Sequence, residues 1–294
     1  MLIFDFNALL VSNVAAATKE LGAANVDLKA ATGYFLNTFL DYKKKFSSYG
    51  EVVIACDSPN NWRKTVYPYY KINRKTNRAK MPFDWALVEA SIKSIQRDMM
   101  ESFPYTILKV DGCEADDIIA TICKHVNGYD SATGIQSKAE EILILSADQD
   151  FLQLQAINGV KQWSTNTKKF LVESNPSKFL FDKILKGDSG DGVVNILSED
   201  NAIANGIRQS PVTQARIDKW TEYFVTNGSL HPDLSEANYK RNKTLVDLMN
   251  CVPIKLEEET IKQFEEYRKP SKIKLQSYLI ANGYKNLYSD LQYF

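Results

Sequence analysis

Nine carboxylates fall in five short runs whose surroundings are unlike an ordinary solvated surface. They are Asp5 in LIFDF, Asp57 in VVIACD, Glu114, Asp116 and Asp117 in CEADD, Asp148 and Asp150 in ILILSADQD, and Asp188 and Asp191 in LKGDSGD. Four runs put the acid directly after, or inside, a stretch of Ile, Leu, Val and Phe that reads as a buried strand. Acids anchored at strand and helix ends can converge at one sheet edge even when they are far apart in sequence. Like charges gathered there repel unless a cation neutralises them. A hard divalent ion with oxygen ligands suits such a group: Mg²⁺, with Mn²⁺ as a substitute. Two ions held roughly 3.5–4 Å apart can activate a water and stabilise the leaving oxygen of a phosphodiester, so the pattern points to metal-dependent phosphate chemistry.

Each run also has an ordinary explanation. Asp148 and Asp150 can cap a helix starting at Phe151. Glu114, Asp116 and Asp117 stand in a helix's first turn, where the dipole favours acids. Asp188 and Asp191 can belong to a flexible turn. Asp5 is hardest to dismiss, because an unpaired buried carboxylate is costly. Five runs sharing the same placement favour a joint metal site.

The elements that must position these acids alternate. Strands are expected at residues 2–6, 105–110 and 142–146 and in EVVIACD, with hairpin-like strands VKQWS and KKFLVE around a TNT turn. Helices are expected at 28–46, from 114 to 126 and in a short segment from Phe151, and a long amphipathic one follows Pro82. GYDSATGIQSKAEE reads as a polar loop. The expected fold is α/β, a mostly parallel twisted sheet with helices on both faces and a C-terminal helical region. Residues 1–180 would form the core, with a basic helical arch at about 62–100. Residues 181–294 would form a helical DNA-binding region. Ligands of such sheets bind beyond the carboxyl ends of the strands, where Asp57, Asp148 and Asp150 fall.

Bulk properties narrow the class. No stretch reaches transmembrane length, and the first residues lack the basic start of a signal peptide. Cys56, Cys113, Cys123 and Cys251 show no C-x-x-C spacing and read as reduced packing residues of a cytosolic protein. His125 and His231 are far apart, which argues against a zinc site. The net charge of zero hides an uneven distribution. Setting the nine acids aside leaves 27 acidic against 36 basic residues, and residues 62–80 hold seven Lys or Arg and no acid. In that stretch Arg63, Lys64, Arg74, Lys75 and Arg78 can neutralise nucleic-acid phosphates. Trp62, Tyr67, Tyr69 and Tyr70 offer faces for bases.

Together LIFDF, CDSPNNWRKTVYPYYKINR, VDGCEADDIIA, LSADQDFLQL, VKQWS and ILKGDSGDGV resemble the 5′-nuclease family of phage 5′–3′ exonucleases, bacterial polymerase I 5′-nuclease domains and flap endonucleases. The match is closest to the RNase H branch of T-even-like bacteriophages and spans residues 2–195. The resemblance implies a Mg²⁺-dependent 5′–3′ exonuclease and flap endonuclease with RNase H activity, removing RNA primers and flaps in lagging-strand replication. Its substrates would be DNA and RNA–DNA duplexes with a 5′ flap or nick. It implies a first metal cluster of Asp5, Asp57, Glu114, Asp116 and Asp148, a second of Asp150, Asp188 and Asp191, and Asp117 in the outer shell. Lys71 would stabilise charge on the scissile phosphate, Arg74 would steer the 5′ strand, and Arg63 matches an upstream basic position. A single-strand-binding protein or sliding clamp could dock on the tail ending LYSDLQYF, with the enzyme itself a monomer in the cytoplasm, of the host cell if phage-encoded. After Asp191 the chain departs from the family: GVVNILSEDNAIANGIRQSP lacks the GxGxKTA pattern of the duplex grip, so no K⁺ requirement is expected. The competing readings are a PIN-type ribonuclease and a catalytically silent DNA-junction binder.

Overall fold

The structure is a computed structural model and describes residues 1–294 apart from 23–25, 82 and 83 and the side chain of Lys75, so the expectations for Pro82 and for Lys75 as a phosphate contact lie outside the described residues. Along the chain, β1 (Leu2–Asp5) leads into α1 (Phe6–Leu21), α2 (Leu28–Lys45) and β2 (Val52–Ala55). Two short helical turns, α3 (Arg63–Val66) and α4 (Arg74–Arg78), precede α5 (Trp85–Ser102), β3 (Thr106–Leu108) and α6 (Ala115–Asn127). Next come a small hairpin of β4 (Tyr129–Asp130) and β5 (Ile135–Gln136), then β6 (Ile142–Leu145), a 3₁₀ segment at Gln149–Ala156, β7 (Val160–Ser164) and β8 (Lys169–Leu171). The remainder is helical: α7 (Pro176–Lys186), α8 (Gln214–Asn227), α9 (Glu236–Val246), α10 (Ile254–Glu266), α11 (Lys272–Ala281) and α12 (Lys285–Ser289).

The main sheet runs in the order β3-β2-β1-β6-β7-β8, parallel except for β8, as the alternation of elements implied. β1, β2 and β6 are buried at every position because helices cover both faces. Side chains alternate between two apolar layers. Leu2, Phe4, Val52, Ile54, Leu143 and Leu145 join one layer with α1, α2 and α5, while Ile3, Val53, Ala55, Ile142 and Ile144 join the other with α6. Strand order reverses between β1 and β6. The carboxyl ends of these two strands therefore open a crevice at a topological switch point.

Several elements differ from expectation. Residues 6–21 form a full helix that the apolar run did not announce, with Asp5 as its N-cap. The polar loop carries the β4–β5 hairpin, and the segment around Phe151 is 3₁₀. In keeping with its amphipathic pattern, α5 packs Val88, Ile95 and Met99 into the core. α7 runs through residue 180. The C-terminal region also folds back on the sheet. Leu275, Leu279, Leu287 and Phe294 enter the same layer as Phe4 and Phe103, which places Leu287 and Phe294 of the expected docking tail inside the core and leaves Tyr288 and Tyr293 exposed.

Candidate active site

Asp5 ends β1 and begins α1. Its Oδ1 accepts from the Ala8 amide at 3.1 Å, and its Oδ2 accepts from the buried Ser146 hydroxyl at 2.9 Å, just beyond β6. Asp57, two residues past β2, accepts from Asn7 Nδ2 at 2.7 Å and from the Ala115 amide at 2.8 Å. Thus α6 points its amino end at the crevice, where the helix dipole favours anions. Glu114 is the N-cap of α6 and forms a capping box with Asp117. Asp148 spends Oδ1 on the Asp150 amide at 2.9 Å, so the capping explanation holds for one oxygen only.

Two groups of acids differ in their electrostatics. Burial and the neighbouring Asp57 push Asp5 up to about 7. Burial, then Asp148, Asp5 and Glu114, hold Asp116 well above the usual carboxylate range, and burial raises Asp57. Glu114 and Asp191 behave oppositely. Burial opposes their charge, but Lys71 lowers both, assisted by Arg63 at Glu114 and by Arg74 at Asp191. Asp5, Asp57 and Asp116 therefore carry charge that the chain itself leaves largely uncompensated.

Across the crevice, Asp150 and Asp188 share the ammonium of Lys183, and Asp188 Oδ1 accepts from the Asp191 amide at 3.1 Å. Asp116, Asp150, Asp188 and Asp191 line one small cavity of about 10 Å³, closed by Tyr70, Arg63 and the end of α9. That is close to the volume of one water-sized sphere. Of the first acidic group expected from the sequence Asp116 lines this cavity, and of the second all three members do. Among the described residues, no group of three or more His, Cys, Asp or Glu side chains is placed to hold a metal ion as it stands. The donor set nevertheless fits a hard cation, being all oxygen, rich in carboxylate and short of positive charge.

Asp117 does not face this space. It is fully buried and gives both oxygens to Arg63, at 2.7 and 3.0 Å, while also accepting from the Glu114 amide and Trp62 Nε1. It therefore stands behind Glu114 rather than among the acids lining the cavity. Arg63 is corrected as a nucleic-acid contact. Only 2% exposed, it also donates to the Leu245 carbonyl at 2.8 Å and cannot reach a nucleic acid. Tyr70 and Tyr67 are likewise buried and offer no face for bases. The Tyr70 hydroxyl donates to Glu114 at 2.8 Å or Asp191 at 2.9 Å, and Trp62 stacks against the Arg63 guanidinium.

Lys71 does lie at the acids. Its ammonium pairs with Glu114 and stands 3.4 Å from Asp191. Its backbone is held at φ 59°, a costly conformation for a residue with a side chain, and its amide donates to the Asp191 carbonyl at 2.6 Å. Gly192 permits this approach, since a Cβ there would lie 2.6 Å from the Tyr69 carbonyl oxygen. Arg74 reaches Asp191 at 3.2 Å while remaining substantially exposed, and Lys64 is exposed. Arg78 stacks on Trp85 and lies 3.5 Å from Glu89. Sequence reasoning did not assign the roles of Asn7, Ser146 and Lys183, because each depends on a contact made only in the folded chain.

Comparison with known proteins gives two family matches. Residues 1–180 match the 5′–3′ exonuclease N-terminal resolvase-like domain, and residues 176–294 match the C-terminal domain of T4 RNase H. Ribonuclease H of Enterobacteria phage T4 is 27% identical over 301 residues, covering 99% of this chain and 95% of that protein. A 5′–3′ exonuclease of Buchnera aphidicola is 27% identical over 160 residues, covering 52% of this chain and 50% of its own. Among solved structures, the phage T5 5′-exonuclease with bound zinc superposes with a TM-score of 0.58 at 18% identity, covering 90% of this chain and 98% of that one. The phage T5 flap endonuclease in a pseudo-enzyme–product complex with DNA and metal ions gives 0.57 at 17%, covering 90% and 97%. These structural likenesses speak for the fold.

Proposed function

The chain belongs to the 5′–3′ exonuclease family of nucleases, and from that premise we propose that it is a Mg²⁺-dependent 5′–3′ exonuclease and flap endonuclease with RNase H activity. The observation that carries the reading is the crevice between β1 and β6. Four carboxylates from distant parts of the chain, Asp116, Asp150, Asp188 and Asp191, line one small cavity there, and burial raises the neighbouring Asp5 and Asp57 as it does Asp116. Asp5, Asp57, Glu114, Asp116 and Asp148 would hold a first ion. Asp150, Asp188 and Asp191 would hold a second. When bound, the two ions supply Lewis acidity that activates water and stabilises the leaving oxygen of a phosphodiester.

The chain's own residues have separable tasks. Asn7, Ser146 and the amides of Ala8 and Ala115 fix the orientation of Asp5 and Asp57. Lys71 brings a cation to the edge of the acids, where it would meet the scissile phosphate and stabilise charge developing there. Arg74, Lys64 and Arg78 would hold the 5′ strand through its backbone. Substrates on this reading are RNA–DNA and DNA duplexes with a 5′ flap or nick, as met in lagging-strand replication. The enzyme would act as a monomer in the cytoplasm. A single-strand-binding protein or clamp would have to engage surface outside Leu287 and Phe294, which are core residues. Digestion of a 5′-labelled flap and a nicked RNA–DNA duplex, with and without Mg²⁺, tests the proposal. Mg²⁺-dependent release of 5′ products from both supports it, and metal-independent cleavage or none overturns it.

A further inference from the structure

Lys183 stands in the last turn of α7, an end where a helix favours cations. Its ammonium pairs with Asp150 and lies 2.9 Å from Asp188 Oδ2, with the side chain only 15% exposed. The backbone builds this bridge. Gly187 ends the helix at φ 68°, and a Cβ there would fall 2.4 Å from the Val194 carbonyl oxygen, so this position favours glycine. The chain then doubles back, Asp188 and Val193 exchange amide-to-carbonyl bonds of 2.8 and 2.7 Å, and the Asp188 carboxylate returns over α7 to Lys183. Asp150 comes from the other side of the crevice, after β6. Lys183 is thus the group that joins the two.

Its surroundings offer a second place for the ammonium. Asp150 and Asp188 face the small acidic cavity, whereas Lys183 lines the groove beside it together with Lys178, Lys186, Asn175 and Glu173. A lysine has four flexible carbons and a point charge without fixed geometry, so it can exchange partners without moving the helix.

We propose that Lys183 is an internal counter-cation that occupies Asp150 and Asp188 in the ion-free enzyme, competes with the second divalent ion for them, and turns into the adjacent groove when that ion binds. The inference rests on the two-ion reading given above and concerns the regulation of that same site. A tethered monovalent cation keeps the acids together without the ion and weakens the ion's affinity by competition. The second ion then fills at a higher concentration than the first. Lys183 is a positioning residue in this account.

The test is calorimetric titration of the full-length, DNA-free chain with Ca²⁺, which reads binding without catalysis. The wild type is expected to show a tighter and a weaker class of site. Lys183→Met should tighten the weaker class by about tenfold, within the usual range of coupling between sites, and leave the tighter class unchanged. Lys183→Arg should retain the wild-type separation, Lys186→Met should alter neither class, and adding Asp188→Asn to Lys183→Met should abolish the gain. If Lys183→Met does not fold, judged by near-ultraviolet circular dichroism, Lys183→Gln is titrated in its place with the same expectation. A folded Lys183 variant with an unchanged or weaker second class overturns the role of Lys183 and leaves the two-ion reading standing. A wild type that binds no Ca²⁺ and no Mn²⁺ overturns that reading, and this inference with it.

Discussion

Arg63 lies against Asp117 through two parallel hydrogen bonds of 2.7 and 3.0 Å, both residues essentially excluded from solvent. The pair ties the start of the basic stretch to α6, and the Arg63 bond to the Leu245 carbonyl extends the tie to α9. Removing one partner of such a pair strands a buried charge. Arg63→Met should therefore lower stability by about 3–5 kcal/mol, read as the urea midpoint at constant slope. A loss under about 1 kcal/mol would mean that Asp117 finds another cation.

Asp148→Asn or Asp150→Asn should abolish cleavage and leave DNA binding intact or slightly tighter. Each change removes an ion's ligand while reducing repulsion of phosphate. Single-turnover rates at saturating Mg²⁺ are the measurement. A variant retaining about a tenth of the wild-type rate, only about 1.4 kcal/mol of barrier, would remove that residue from the ion-holding set.

Lys71→Ala should slow cleavage far more than it weakens binding, because a cation aimed at the reacting phosphate helps chiefly in the transition state. Arg74→Ala should act mainly on binding and reduce its salt slope by about one. Rates and dissociation constants measured side by side separate the two. Should Lys71→Ala change only the dissociation constant, its position at Glu114 and Asp191 serves binding alone.

Asp5, Asp57, Asp148 and Asp150 were legible because each ends or closely follows an apolar strand run, and strand ends in an alternating α/β pattern converge by topology. Lys71 came only from the resemblance of its surrounding motif to the family, since nothing in the composition of its stretch separates it from the neighbouring cations. Arg63 and Tyr70 were misplaced, because charge and aromatic content describe what a side chain can do and not which face of the turn it occupies. The resemblance set Asp117 in the outer shell but gave no sign of its partner, because the Arg63 that it faces is 54 positions away. The pairing of Lys183 has no local signature, because its partners lie 33 and five positions away. Helix α1 was hidden by an apolar run that fits strand and helix equally.

Stability without divalent ions should fall between mildly acidic and mildly alkaline pH. Asp5 and Asp150 are pushed up to about 7, burial being the first cause in each and neighbouring carboxylates adding to it. An unfolded aspartate titrates near about 4. Between these values the folded chain holds more protons than the unfolded one, so the advantage is full below about 4 and lost as pH rises through about 7. Glu114 and Asp191, lowered by Lys71, change only at more acidic pH. Urea midpoints in EDTA should therefore be higher at pH 5 than at pH 8, and Ca²⁺ should restore the midpoint at pH 8. Equal or greater stability at pH 8 in EDTA would show that these carboxylates are not crowded as described.

The most direct test of the central claim is one cleavage experiment on the full chain. A 5′-labelled DNA flap and a nicked RNA–DNA duplex are digested side by side, with Mg²⁺ and with EDTA, by the wild type and by Asp150→Asn. The account requires short 5′ products from both substrates with the wild type in Mg²⁺, and intact substrate in the other three conditions. Cleavage by the wild type in EDTA, or by Asp150→Asn at a rate comparable to the wild type, would contradict the assignment of the β1–β6 crevice as a two-ion nuclease site.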